Sequence, residues 1–338
     1  MASKRRRITV GVAVTATVAV LLGVGIGTAN AGTRKPWWER WNPKPRPVAS
    51  ASATPSPSVT TAAPTASPRP SAPASAAPSP SRPATAPSPT PSKTTSAGTW
   101  APPPANAGFD YQIGGAYAPP SGVTVVSRDS EVSPAAGIYN ICYINAFQAQ
   151  PGAESWWKSN HPDLLLRDKN GELVVDEDWD ELMLDFSTPA KRTALTTIVG
   201  GWIDRCAAKG FKAIEPDNLD SYTRSNGLLT QAQAVEYAAS LSAYAHGKGL
   251  AVGQKNLAEL STAAAKKAGF DFAVAEECAV WNECGAYTAT YGNNVIVIEY
   301  TQSGFTKACT GFGGKLSVVL RDVDVTAPGS RTYVFKGC

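Results

Sequence analysis

Eight short apolar runs, each ending in a polar or charged residue, constrain this chain more than any other feature. They are Val123–Val126 before Arg128-Asp129, Ile138–Ile144 before Asn145, Leu182–Leu184 before Asp185, and Ala213-Ile214 before Glu215-Pro216-Asp217. The others are Ala251–Gly253 before Gln254-Lys255-Asn256, Phe272–Ala275 before Glu276-Glu277, Val295–Ile298 before Glu299-Tyr300, and Leu316–Leu320 before Arg321-Asp322. Runs of this length without polar alternation read as parallel strands buried on both faces. Helical stretches over Pro189–Lys209 and Thr230–Lys248 separate some of them, with Gly210 and Gly249 placed as C-caps. Strand alternating with helix, with chemistry gathered at one strand end, predicts an α/β fold of the (β/α)8 TIM-barrel type. A ninth run, Asp110–Gly115, is either the first strand, displacing Leu316–Leu320, or a segment lining the mouth. A doubly wound open sheet is the alternative fold. No G-x-G-x-x-G or P-loop follows an early strand, so no nucleotide site and no cofactor are expected.

Residues 108–338 supply this barrel, and residues 1–107 differ in kind. Lys4-Arg5-Arg6-Arg7 precedes an uncharged run from Ile8 to Ala29, and Ala29-Asn30-Ala31 fits a small-residue cleavage site. Residues 1–31 therefore read as a secretory signal peptide, and the expected location is outside the cell. An uncleaved membrane anchor is the alternative, since the run is long enough to span a bilayer. Residues 32–107 read as a Pro/Ala/Ser/Thr-rich linker; from Asn42 to Ala107 they hold 18 of the 27 prolines. Such a segment has too few large apolar groups to offset the entropy of ordering, so a disordered, extended spacer is expected.

Charge divides along the same line. Residues 1–107 carry 12 Lys/Arg and one acid, Glu39, whereas residues 108–338 carry 19 Lys/Arg and 26 Asp/Glu, a net of −7. An acidic folded part argues against a nucleic-acid partner and suits a cationic substrate. All six cysteines lie in this part. An even count in an exported chain reads as disulfides, with Cys278–Cys284 the first pair, Cys309–Cys338 the next, and Cys142–Cys206 left over. The spacings lack the C-x2–4-C pairs of a zinc site and only His161 and His246 exist to assist, so no metal is expected.

The densest chemistry lies in Gly210-Phe211-Lys212-Ala213-Ile214-Glu215-Pro216-Asp217-Asn218-Leu219-Asp220-Ser221-Tyr222, where an apolar run ends in three carboxylates. Pro216 cannot donate to a ladder, so the strand ends about there. With two histidines, one at a helix end and one before Pro162, a Ser-His-Asp or Cys-His mechanism has no support. Paired carboxylates remain, and these are the machinery of glycoside cleavage.

That stretch resembles the signature of glycoside hydrolase family 114. So do Gly253-Gln254-Lys255-Asn256, Phe272–Cys278, Glu283-Cys284, Glu299-Tyr300, Tyr111–Gly115 and Cys142-Tyr143-Ile144, in order over residues 109 to roughly 325. The family contains endo-α-1,4-polygalactosaminidases, with spherulin-like cyst proteins among the relatives. The resemblance implies a (β/α)8 barrel, a catalytic nucleophile at Asp217 and an acid/base at Glu276. Glu277 stands where the family usually has Gln; strand alternation sends Glu276 and Glu277 to opposite faces, so only one can face Asp217. Asp217 is expected to be ionised and Glu276 to carry a proton in the resting enzyme. Lys255 is expected either to balance Asp217 and Glu215 or to touch substrate. Asp129, Asp185, Glu215, Asn218, Asp220, Asn256, Glu277 and Glu299 are expected to bind sugar hydroxyls or amino groups. Tyr111, Tyr143, Tyr222 and Tyr300 are expected to contact the sugar as well, with Trp281 a further stacking candidate. The implied activity is that of a secreted retaining endo-glycosidase, monomeric and without an obligate protein partner, acting on a cationic or partly acetylated amino-sugar polysaccharide. A non-catalytic sugar-binding wall or matrix protein, or a glycosidase for another α-linked sugar, are the alternatives.

Overall fold

The structure, a computed structural model, describes residues 99–338. The expected signal peptide, and the expected linker as far as residue 98, lie outside the described residues. In chain order the described elements are β1 (Phe109–Gln112), β2 (Val125–Asp129), β3 (Tyr139–Asn145), α1 (Glu154–Asn160), β4 (Val175–Asp176), β5 (Glu181–Leu182) and α2 (Pro189–Lys209). There follow β6 (Ala213–Asp217), α3 (Gln231–Gly247), β7 (Ala251–Lys255), α4 (Thr262–Ala268), β8 (Phe272–Glu276), α5 (Cys278–Trp281) and α6 (Cys284–Tyr291). The chain ends with β9 (Val295–Glu299), α7 (Gln302–Phe312), β10 (Ser317–Arg321) and β11 (Phe335–Gly337).

β1, β2, β3, β6, β7, β8, β9 and β10 pair in parallel in that order, which is the expected TIM barrel, and β11 lies antiparallel on β10. The seam between β1 and β10 is bridged by a buried ion pair, Arg321 Nη1 2.9 Å from Asp110 Oδ1. The ninth apolar run is thus the first strand, but it does not displace Leu316–Leu320. The run it displaces is Leu182–Leu184. Glu181-Leu182 pairs antiparallel with Val175-Asp176, and Met183 and Leu184 form bridges with Gln148 and Leu165. Those apolar side chains are buried in the outer layer, so burial there, not membership of the barrel wall, explains their hydrophobicity.

Alternation sorts the strands into two apolar layers. Phe109, Tyr111, Val125, Ile141, Ala213, Ala251, Phe272, Val274, Ile296, Ile298 and Val319 fill the barrel. Ile144, Ile214 and Val252 face the outer layer with α2 and α3, and Ala273, Val295, Val297 and Val318 face that with α6 and α7. Gly253 belongs to the inner layer, where a Cβ would stand 2.9 Å from the Phe272 ring.

α2 and α3 begin where capping chemistry dictates. The Thr188 side chain accepts from Lys191 N–H ahead of Pro189, and Thr230 and Gln233 form a reciprocal capping box. Gly210 closes α2 at φ 97°, a conformation costly for residues with a Cβ. The three expected disulfides are present. Cys142–Cys206 ties β3 to α2, Cys278–Cys284 joins α5 to α6, and Cys309–Cys338 ties α7 to the C-terminus. Among the described residues no helix is long and apolar enough to cross a membrane.

Residues 100–107 run beneath the barrel, at the N-terminal ends of its strands. The Trp100 ring stacks on His246 at 4.0 Å and its Nε1 donates to Asp271. Tyr139 Oη donates to the Ala101 carbonyl, Asn294 Nδ2 to that of Pro103, and Ala107 N–H to Ser317 Oγ. The expected boundary at 107 falls after a segment that already packs on the barrel, because this stretch carries an aromatic anchor that the Pro/Ala/Ser/Thr tract lacks.

Candidate active site

Three adjacent strands deliver the site. Alternation that places Ala213 inside the barrel also turns Glu215 and Asp217 inward. The same parity brings Lys255 inward on β7 above Ala251, and Glu276 inward on β8 above Phe272 and Val274. Lys255 Nζ lies 3.2 Å from Glu215 Oε1, 3.3 Å from Asp217 Oδ1 and 3.4 Å from Glu276 Oε2. Asp217 Oδ1 and Glu276 Oε2 are therefore no more than about 6.7 Å apart, the 3.3 Å and 3.4 Å legs laid end to end. The Tyr111 and Tyr143 rings flank the ammonium at 5.5 Å and 5.6 Å. Burial works against the charge on Lys255, but Asp217, Glu276 and Glu215 together outweigh it and hold its pKa well above the usual lysine value.

Each catalytic candidate has its own holders. Tyr143 Oη donates to Asp217 Oδ2 at 2.8 Å, and the Asn218 N–H donates to Oδ1 at 2.8 Å. Glu276 receives Tyr300 Oη on Oε1 and Asn256 Nδ2 on Oε2. Asn218 and Asn256 both have left-handed backbone, φ 66° and 50°, a conformation that Asn tolerates better than most residues. Each therefore turns back toward the carboxylate at the end of a neighbouring strand or its own.

Glu215 is fully buried on the floor, where it accepts from Tyr111 Oη at 2.9 Å and Ser127 Oγ at 2.6 Å. Burial raises its pKa, opposed by Lys255 and the Ser127 hydrogen bond. Glu215 and the equally buried Tyr111 support Lys255 from below; neither matches the expectation of sugar contact. Of the two neighbouring glutamates, Glu276 faces Lys255. Glu277 adopts φ 56° and is buried near Glu299, and burial, then Glu299 and Glu276, push its pKa up to about 7.

Five other expected contacts lie elsewhere. Glu299 points out of the barrel, accepting from the Ala279 N–H with Oε1, and burial pushes its pKa up to about 7. Its parity follows Val295 and Val297, which face the helices. Asp185 is engaged by Lys191 and the Ser187 N–H at the entry to α2. Asp220 pairs with Arg224 at 3.0 Å, and Tyr222 packs on the outer core with its hydroxyl accepting from Gln231 Nε2. Asp129 ends β2 at a separate cavity on the barrel flank.

The hairpin of β4 and β5 contributes residues that strand-end reasoning missed. Glu181 Oε2 accepts from Asn145 Nδ2 at 2.8 Å and lies 3.4 Å from Asn218 Nδ2, which also donates to Asn145 Oδ1. Burial pushes the Glu181 pKa up to about 8; the Asn145 bond opposes this, while Asp217 and Asp176 add to it. Glu181 therefore keeps its proton to higher pH than an ordinary glutamate, and the Asp217 charge is one cause. Asp176, fully buried, is bound by Arg224 at 2.6 Å and Gln148 at 2.6 Å and pins the hairpin to the loop after β6. The acidic run Asp176–Glu181 was the signal available. Beyond Tyr300 a cavity of about 560 Å3 opens, with Gln302, Asp322, Asp324 and Thr332 on its walls. Among the described residues no three His, Cys, Asp or Glu side chains converge as metal ligands.

Comparison with known proteins matches the sequence to a family model and the fold to solved barrels. The family model for glycoside-hydrolase family GH114 matches residues 89–338. The fold is similar to that of Aspergillus fumigatus Ega3, solved in complex with galactosamine, at 22% identity and a TM-score of 0.58, over 72% of this chain and 100% of that one. It is also similar to the glycoside hydrolase domain of PelA from Pseudomonas aeruginosa, at 14% identity and a TM-score of 0.45, over 66% of this chain and 96% of that one. No curated protein matches the sequence directly.

Proposed function

The chain belongs to glycoside-hydrolase family GH114, and we propose that it is a secreted, retaining endo-glycosidase that cleaves α-1,4-linked galactosamine polymers. The observation that carries this reading is the placement of Asp217 and Glu276 on either side of one buried lysine, at most about 6.7 Å apart by the 3.3 Å and 3.4 Å contacts. Retaining glycosidases hold their two carboxyl groups about 5–5.5 Å apart and inverting enzymes about 6.5–9.5 Å, so the bound excludes most of the inverting range and admits the retaining one.

Asp217 is the nucleophile. One of its oxygens bonds to the anomeric carbon as the glycosidic C–O bond breaks, and Glu276 gives its proton to the departing oxygen. Glu276, then ionised, takes a proton from water, whose oxygen attacks the anomeric carbon and releases Asp217. Lys255, Tyr143 and the Asn218 N–H fix the attacking carboxylate, and Tyr300 with Asn256 fixes the acid. The substrate assignment follows the galactosamine found with Ega3 and the site's charge, one lysine among three carboxyl groups, which suits a cationic sugar. Three disulfides fit an oxidising compartment, and the chain is read as a monomer outside the cell.

The test is incubation with a partly deacetylated α-1,4-galactosamine polymer, followed by mass spectrometry. Internal cleavage to short oligomers is expected, lost by at least roughly a hundredfold in Asp217→Asn and Glu276→Gln. Binding without products from the wild type would leave a non-catalytic sugar-binding protein; activity retained in Glu276→Gln and lost in Glu277→Gln would reassign the acid.

A further inference from the structure

The flank of the barrel beside β2 and β3 holds a second cavity, of about 230 Å3, that the catalytic reading does not use. Asp129 and Asn145 at the ends of β2 and β3, Trp156 and Trp157 of α1, and Trp202 and Arg205 of α2 line it. A volume below the ~300–1,000 Å3 of drug-sized pockets suits one sugar ring. Trp157 stands edge-on to both Trp156 and Trp202, with ring centroids 5.1 Å and 6.1 Å away. Trp156 is 43% exposed, so the aromatic cluster reaches the surface.

Two observations point to a ligand. Trp157 is wholly buried, and among the described residues its indole Nε1 has no hydrogen-bond partner. Buried indole N–H groups nearly always find one, and leaving such a donor unmet costs about 1–3 kcal/mol. The lining also carries acceptors and a donor, the Asp129 carboxyl, whose Oδ1 accepts from the Glu131 N–H, and the Arg205 guanidinium, 3.4 Å from the Glu131 carboxyl. Apolar faces, one unmet donor and a few polar groups are what a pyranose needs, with its hydrophobic C–H faces and its rim of hydroxyls.

We infer that this cavity is a distal sugar site, holding one ring of the same polymer away from the bond being cut. Asn145 joins the two sites: it lines the cavity and accepts from Asn218, the neighbour of Asp217, at 2.9 Å. The choice of ligand rests on the amino-sugar reading above. A ring held there adds a second attachment point for long chains and none for short ones. Trp156→Ala, at an exposed position, lowers affinity for the long polymer at least fivefold and leaves turnover of a trimer unchanged. Trp157→Phe keeps an aromatic ring and removes the pyrrole ring with its N–H donor.

The experiment is titration of full-length Glu276→Gln with a galactosamine hexamer, followed through indole N–H signals by NMR, with Trp157 assigned from the signal missing in Trp157→Phe. A large shift of that signal, together with the polymer-selective loss in Trp156→Ala, is the expected result. If the wild type cleaves the polymer while the Trp157 signal stays in place and Trp156→Ala binds polymer normally, the distal site is wrong and the catalytic reading stands. If no galactosamine oligomer binds or is cleaved, the amino-sugar reading falls and this inference with it.

Discussion

Asn256 holds Glu276 at two points: its Nδ2 donates to Oε2 at 2.9 Å, and its Oδ1 accepts the Glu276 N–H, also at 2.9 Å. One side chain thus fixes both the backbone and the carboxyl of the proposed acid, from the loop at the end of the neighbouring strand. The left-handed turn at Asn256 makes this reach possible.

Asn256→Gly keeps that backbone conformation and removes the clasp. It is expected to lower kcat by about 10–100-fold, since misplacing a reacting group by about 1 Å can cost about a hundredfold, with KM changed less than threefold. Steady-state kinetics on a galactosamine hexamer measures both.

Lys255→Met tests the lysine as an electrostatic keystone. Removing one partner of a buried ionic cluster leaves uncompensated charge and is expected to cost about 3–5 kcal/mol. Urea denaturation measures this, and kcat should fall at least roughly a hundredfold as Asp217 and Glu276 lose their common donor. Adding Glu215→Gln should restore part of the stability and none of the activity, because Glu215 lies beneath the site.

Stability should fall as pH rises from about 4.5 to about 7. Glu277 and Glu299 have folded pKa values of about 7 against an ordinary 4.5. Between those values the folded chain holds protons that the unfolded chain has released, so unfolding free energy declines with pH. Below 4.5 both states are protonated and above 7 these two groups are ionised in both, so their share of the loss lies in that window; Glu181, pushed up to about 8, carries a further loss on to about pH 8. Thermal melts across pH 4–8 should show a shallower decline in Glu277→Gln than in the wild type.

What the sequence made legible and what it hid have the same cause. Position at a strand end is written in the sequence, since an apolar run must stop where charge begins; this placed Asp217, Lys255 and Glu276 together. The face a residue presents is legible only by parity. Applied to Val295–Tyr300, parity would have turned Glu299 outward with Val295 and Val297 while Tyr300 faced the mouth. Leu182–Leu184 read as a barrel strand because a buried hairpin and a barrel wall demand the same hydrophobicity, and that substitution concealed Glu181 and Asp176. Asp185 read as a site residue for the same reason, whereas its bonds serve the start of α2.

Cleavage should also respond to salt and to acetylation. Lys255 offsets only part of the charge of Glu215, Asp217 and Glu276, so a free ammonium on the sugar is drawn to the mouth. Raising ionic strength from 0.1 M to 1 M shortens the screening length from about 10 Å to about 3 Å. KM for the deacetylated polymer should rise severalfold over that range, and KM for the fully acetylated polymer should stay flat. Initial rates at several salt concentrations decide this.

The segment beneath the barrel sets the direction in which the molecule works. Trp100, locked between His246 and Asp271, makes the chain enter on the side away from Asp217 and Glu276. Residues 100–107 therefore lie at the strand ends opposite Asp217 and Glu276, so an attachment made at this segment leaves the mouth of the barrel uncovered. Immobilised through that end, the enzyme should digest long chains as fast as it does free in solution.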